Sequence, residues 1–77
     1  MDFSSVLIEV KKNGAKAARE GWNGKGMFII YYSPDEPQYF IGYPVYHHLM
    51  IYTGHGSCVP WLASQTDLLA EDWNIVS

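Results

Sequence analysis

Apolar residues at Phe3, Val6, Leu7 and Val10 recur at the i, i+3, i+4, i+7 spacing of one helical face. Asp2 is placed to cap that helix, Lys11 and Lys12 suit its negative C-terminal end, and Gly14 is placed to stop it. The period then changes. Ala15 to Glu20 reads as a short strand; alanine is a poor strand former, but its small side chain lets the helix pack closely. Met27 to Tyr32 is apolar on both faces of an extended chain, so one face can meet the helix and the other needs a partner, a ligand or a second subunit. Ser33 to Pro37 breaks that strand. Tyr39 to Thr53 reads as a long strand, resuming at Val45 after an irregular aromatic loop around Gly42. Thr53 to Gly56 turns the chain and Ser57 to Val59 returns as a short strand. Pro60, which lacks a ladder donor, is expected to end that pairing. Ser64 is placed to cap a short second helix with Asp67 three residues on, and Asp72 to Val76 closes the chain as an alternating strand. The sum is one α+β domain over residues 1–77: an N-terminal helix packed on an antiparallel sheet of four or five strands, with a short second helix before the last strand.

Composition adds a constraint. The chain has 77 residues, a single cysteine and twelve aromatic rings, with 48% of its residues hydrophobic. So small a domain is marginal without help, Cys58 alone makes no internal disulfide, and oligomerisation is the expected extra source of stability. Some rings are therefore expected to face a subunit or a ligand. The net charge of −3 argues against binding long nucleic acid. Charge is also unevenly placed: the five cations (Lys11, Lys12, Lys16, Arg19 and Lys25) all precede Gly26, while five carboxylates follow it. An anion site must draw on those cations or on backbone N–H groups and helix N-termini. No apolar run is long enough to span a bilayer and no signal peptide is apparent, which reads as a soluble, intracellular protein.

Two stretches concentrate chemistry. Arg19-Glu20-Gly21-Trp22-Asn23-Gly24-Lys25-Gly26-Met27 has the glycines and Asn-Gly of a tight turn between extended segments. It reads two ways: a hairpin whose tryptophan folds onto the core, or a place where something planar and anionic is held. Pro60-Trp61-Leu62-Ala63-Ser64-Gln65-Thr66-Asp67 sets a ring before a polar helix start. Either Ser64 and Asp67 form a capping arrangement, or Ser64, Gln65 and Thr66 meet sugar hydroxyls or phosphate oxygens. Trp61 and Trp22 read as opposite jaws of one pocket. Other chemistry is weaker. His47 and His48 point to opposite faces of a strand, which leaves too few partners for a metal with His55 and Cys58. Nothing activates Cys58 as a nucleophile, no carboxylate pair is spaced for acid–base work, and the Gly-x-x-Gly-x-Gly at Gly21 lacks a βαβ setting.

Those two blocks, the second extended through Leu68-Leu69-Ala70-Glu71-Asp72-Trp73, resemble the two signature blocks of the Thoeris anti-defence protein 2 family, small proteins of phages and prophages. The resemblance covers roughly residues 2–32 and 57–76 and leaves Ser33 to Gly56 unmatched. It implies a non-catalytic sponge in the cytoplasm of an infected bacterium. Such a protein sequesters a cyclic ADP-ribose isomer, the signal of Thoeris defence, without degrading it. It further implies a homotetramer with ligand pockets at subunit interfaces, cyclic dinucleotides as additional ligands of some members, and no cofactor. Carried onto matching positions, the expected ligand-binding residues are Arg19, Trp22, Asn23, Gly24, Lys25, Met27, Trp61, Ser64, Gln65 and Asp67. A homo-oligomeric protein-interaction module without a nucleotide ligand is the alternative, and a nucleotide-cleaving enzyme is third.

Overall fold

A computed structural model describes residues 1–76, except for the side chains of residues 23–25. Helix α1 (Phe3–Asn13) begins where Asp2 accepts the Ser5 N–H at 2.9 Å and ends at Gly14 in the left-handed region, φ 65°. Only glycine takes that conformation without a Cβ penalty, and the Gly14 N–H closes back on the Glu9 carbonyl. The strands are β1 (Lys16–Arg19), β2 (Phe28–Tyr32), β3 (Tyr39–Phe40), β4 (Tyr43–Pro44), β5 (His48–Tyr52), β6 (Cys58–Pro60) and β7 (Trp73–Val76), and α2 (Gln65–Leu69) precedes the last. Five of them make one antiparallel sheet in the order β6-β5-β2-β1-β7, so the closing strand lies beside β1 at one edge.

The register decides which residues meet the helix. Ala17 opposes Ile29 and Ile75, and Ile29 opposes Ile51, so these share one face with Trp73, Tyr31 and Leu49. Val6 and Val10 of α1 pack onto that face, and with Ala17, Ile29 and Trp73 they form the fully buried core. Alanine at position 17, weak by propensity, is what lets the helix sit close. The opposite face carries Phe28, Ile30 and Tyr32 across from Tyr52, Met50 and His48. Phe28 stacks on Tyr52 with centroids 5.1 Å apart, and the Lys16 ammonium lies over the Phe28 ring. Among the described residues no helix covers this face.

The α+β architecture agrees with the sequence pattern, and three local features differ. The glycine-rich connection is a 3₁₀ segment, Glu20–Lys25, rather than a tight hairpin turn. At this end β1 is held by β7, since Arg19 opposes Trp73 and the Glu20 N–H bonds the Asp72 carbonyl; the chain therefore needs a longer path back to β2. The aromatic loop folds as its own hairpin, β3 with β4, turned by Ile41 and Gly42 at φ 47° and 85°. Both turn residues have the positive φ that suits two-residue hairpins, although isoleucine is an expensive choice there. Pairing also continues past Pro60: this residue opposes Met50, and the Trp61 N–H bonds the Leu49 carbonyl at 3.0 Å. Because β6 is an edge strand, the missing proline donor falls on its outer side and costs no ladder bond.

Candidate functional site

The two blocks singled out in the sequence meet at one corner of the sheet, around Trp73. Its side chain is fully buried, its indole N–H donates to the Asp67 carbonyl at 2.9 Å, and three rings surround it. Phe3, Trp22 and Trp61 have centroids 5.3, 5.2 and 5.8 Å from it, the two indoles standing nearly perpendicular to its plane. Edge-to-face packing of this kind suits the aromatic quadrupole. Trp22 and Trp61 are half-buried and expose part of their rings. They also touch each other, at 6.3 Å and 83°, so they do not form two parallel jaws around a slot. Each instead offers a separate stacking surface.

Arg19, at the end of β1, reaches two carboxylates of the second block. Its Nη1 donates to Asp67 at 3.1 Å and its Nε to Asp72 at 3.0 Å. The guanidinium is thus matched by two carboxylates, and their hydrogen bonds hold its pKa above the ordinary value. Ser64 caps α2: its hydroxyl accepts the Asp67 N–H, while Asp67 accepts the Ser64 N–H. The capping reading of that pair is realised, and Asp67 ties the cap to Arg19. Burial alone would push the Asp67 carboxyl up; the Ser64 N–H, the Arg19 guanidinium and the Ser64 hydroxyl outweigh it and hold the group below 3.8. Gln65 is exposed beside the cap and Met27 is half-buried just before β2. Asn23, Gly24 and Lys25 belong to the 3₁₀ segment, and as ligand contacts they lie outside the described residues.

This network has a pH signature. The native state binds fewer protons at Asp67 than the unfolded chain does, so its contribution is complete above pH 3.8 and is lost as pH falls through the lower folded value. Asp2, lowered by the Ser5 N–H, titrates in the same window. The melting temperature should therefore drop on acidification below about pH 4. Asp67→Asn should flatten that drop, which a series of thermal melts from pH 6 to 2.5 would read.

One hollow opens at this corner, a groove reaches it at Trp61, and another hollow lies beyond it. The first, of about 240 Å³, is lined by Arg19, Gly21, Trp22 and Asp72. A shallower groove of about 570 Å³ runs along Val45 to Leu49 to Pro60 and Trp61, and a third of about 330 Å³ lies at the hairpin base, between Pro34, Pro37 and Tyr46. Sequence reasoning did not single out Asp72, and it left the groove wall at Tyr46 to Leu49 inside the segment without a match. No local spacing points to Asp72, because its pairing with Arg19 follows from β7 lying beside β1. Among the described residues, no three His, Cys, Asp or Glu side chains come together to hold a metal ion, and His47, His48, His55 and Cys58 do not converge. No helix among the described residues is long and apolar enough to cross a membrane.

The sequence that builds this corner has relatives among known proteins. Residues 1–76 match the model of the Thoeris anti-defense 2-like domain. A protein of Bacillus phage SP01 named "Thoeris anti-defense 2" is 41% identical over 86 aligned positions, which span all of this chain and 96% of the relative. The chain belongs to the Thoeris anti-defense 2-like family.

Proposed function

We propose that this protein inhibits Thoeris anti-phage defence as a sponge, binding a cyclic ADP-ribose-type signal non-covalently in the cytoplasm of the infected host. The observation that carries the reading is the match along the whole chain to a phage anti-defence protein. The corner around Trp73 suits the task. Half-exposed Trp22 and Trp61 supply faces for adenine, and base–aromatic stacking is worth about 1–3 kcal/mol per base. Lys25, backbone N–H groups and the start of α2 remain the sources of charge and donors for a pyrophosphate, since Arg19 is already paired twice. The reading calls for binding without turnover, so we assign no catalytic residue.

Self-association belongs to the same reading. The uncovered sheet face, apolar across Phe28, Ile30, Met50 and Tyr52, is the surface we assign to a second copy, in keeping with a homotetramer. Cyclic dinucleotides are the second ligand class. The alternative, a protein-interaction module, draws its support from the β3–β4 hairpin, where Tyr39, Phe40, Ile41 and Tyr43 are each at least 66% exposed.

Incubating the protein with a panel of cyclic ADP-ribose isomers and cyclic dinucleotides, removing it by filtration and then heating the retained fraction separates the readings. A sponge depletes one ligand from the filtrate and releases it intact on denaturation. A hydrolysed product would identify an enzyme, and no depletion across the panel would favour the interaction module.

A further inference from the structure

We infer that the hollow between Trp22 and Asp72 is a polyol site, in which Asp72 and Arg19 together hold adjacent hydroxyls of a ribose ring lying against Trp22. Nothing in the sequence pattern marked Asp72 for this. The residue expected to accept ribose hydroxyls was Asp67, but that carboxylate already takes the Arg19 Nη1 on one oxygen and the Ser64 N–H on the other. Asp72 is differently placed. Its Oδ1 accepts the Arg19 Nε at 3.0 Å, its Oδ2 has no partner among the described residues, and about a third of its side chain is exposed. Both it and Arg19 line the hollow.

The chemistry of the hollow selects the ligand. A guanidinium carries five N–H donors in a fixed fork, of which Asp67 and Asp72 take two, leaving three. The site thus pairs a charged acceptor with spare donors around one cavity. A phosphate would find Arg19, the one cation among the described residues that line the hollow, already paired with two carboxylates. An ammonium group would meet the spare guanidinium donors, which repel it. A hydroxyl donates to Asp72 and accepts from Arg19, and two neighbouring hydroxyls use both groups at once. Hydrogen bonds to a charged partner are about twice as strong as neutral ones. Trp22 supplies apolar surface for the carbon face of the sugar. The volume, about 240 Å³, falls below that of whole-ligand pockets, which run ~300–1,000 Å³, and suits one furanose ring rather than a nucleotide.

The inference rests on the sponge reading for the ligand's identity, though not for the chemistry of the hollow. Its test compares, by titration calorimetry, the captured cyclic ADP-ribose isomer with analogues lacking one ribose hydroxyl each. The wild-type protein should bind at least one deoxy analogue about tenfold more weakly, the equivalent of ~1.4 kcal/mol. Asp72→Ala should bind the parent and that analogue equally, and Asp72→Asn should keep part of the preference. A merely structural role would weaken both ligands together and leave their ratio unchanged, and that result would overturn the proposal. Should Asp72→Ala fail to fold, the Asn variant decides on the same ratio. Should no cyclic isomer be captured at all, the sponge reading falls, and the Trp22 indole signal titrated by NMR with adenosine and 2′,3′-dideoxyadenosine judges the hollow alone. A hydroxyl-dependent shift sustains the polyol site; equal shifts, or none, overturn it.

Discussion

Replacing Trp73 with alanine should lower the melting temperature by roughly 12–40 °C, because deleting a buried aromatic side chain costs about 3–5 kcal/mol and each kcal/mol moves a domain of this size by ~4–8 °C. Trp73 is the largest fully buried side chain among the described residues and the ring against which Phe3, Trp22 and Trp61 all pack. Its loss opens a cavity that three partly exposed rings cannot close without giving up their own contacts. It also strips the Asp67 carbonyl of its indole donor. Trp73→Phe separates the two effects: most of the volume stays, the donor goes, and the melting temperature should fall by much less. Differential scanning calorimetry of both variants checks this. A Trp73→Ala melt within a few degrees of wild type would mean that the ring is not the keystone of the core.

Trp22→Ala should weaken ligand capture by about 1–3 kcal/mol, or roughly 5- to 150-fold, the range measured for removing one base-stacking ring. Trp22 also contacts Trp73 edge-on at 5.2 Å, so some stability will go with it. Affinity must therefore be read at a temperature where near-ultraviolet circular dichroism shows the remaining tryptophans still packed. Trp22→Phe keeps an aromatic face and should retain most of the affinity. Unchanged capture by a folded Trp22→Ala protein would remove this residue from the ligand site and leave stacking to Trp61 alone.

The parts of the fold that local pattern could specify were legible. Helix α1 carries its cap, its apolar stripe and its glycine stop between Asp2 and Gly14, and the structure uses all three. The two-sided apolar run at Phe28–Tyr32 became the middle strand of the sheet. Ser64 and Asp67 sit three apart and cap α2 as that spacing suggests. The candidate site was legible as two blocks, and its internal geometry was not. Arg19 finds its carboxylates 48 and 53 residues away, a pairing that follows from β7 lying beside β1 and from no local spacing. The same edge pairing holds the chain at Glu20, so the expected tight turn is a 3₁₀ segment instead. Ring orientation was equally hidden. A pair of tryptophans in sequence suggests a clamp, whereas the packing around Trp73 sets them perpendicular and makes them two platforms. The hairpin at Tyr39–Pro44 escaped because its turn uses isoleucine where asparagine would have announced a positive φ.

The order of the sheet also governs when the core is completed during synthesis. Phe3 touches Trp73, and Ala17 opposes Ile75 of the same closing strand, so the first elements of the chain are completed by its last described residues. A nascent chain that has made α1, β1 and β2 has a helix and two strands but lacks the indole that fills the space between them. Val6, Val10, Ala17 and Ile29 can gather before the last strand is made, but the aromatic corner closes only when β7 brings Trp73 to Phe3, Trp22 and Trp61.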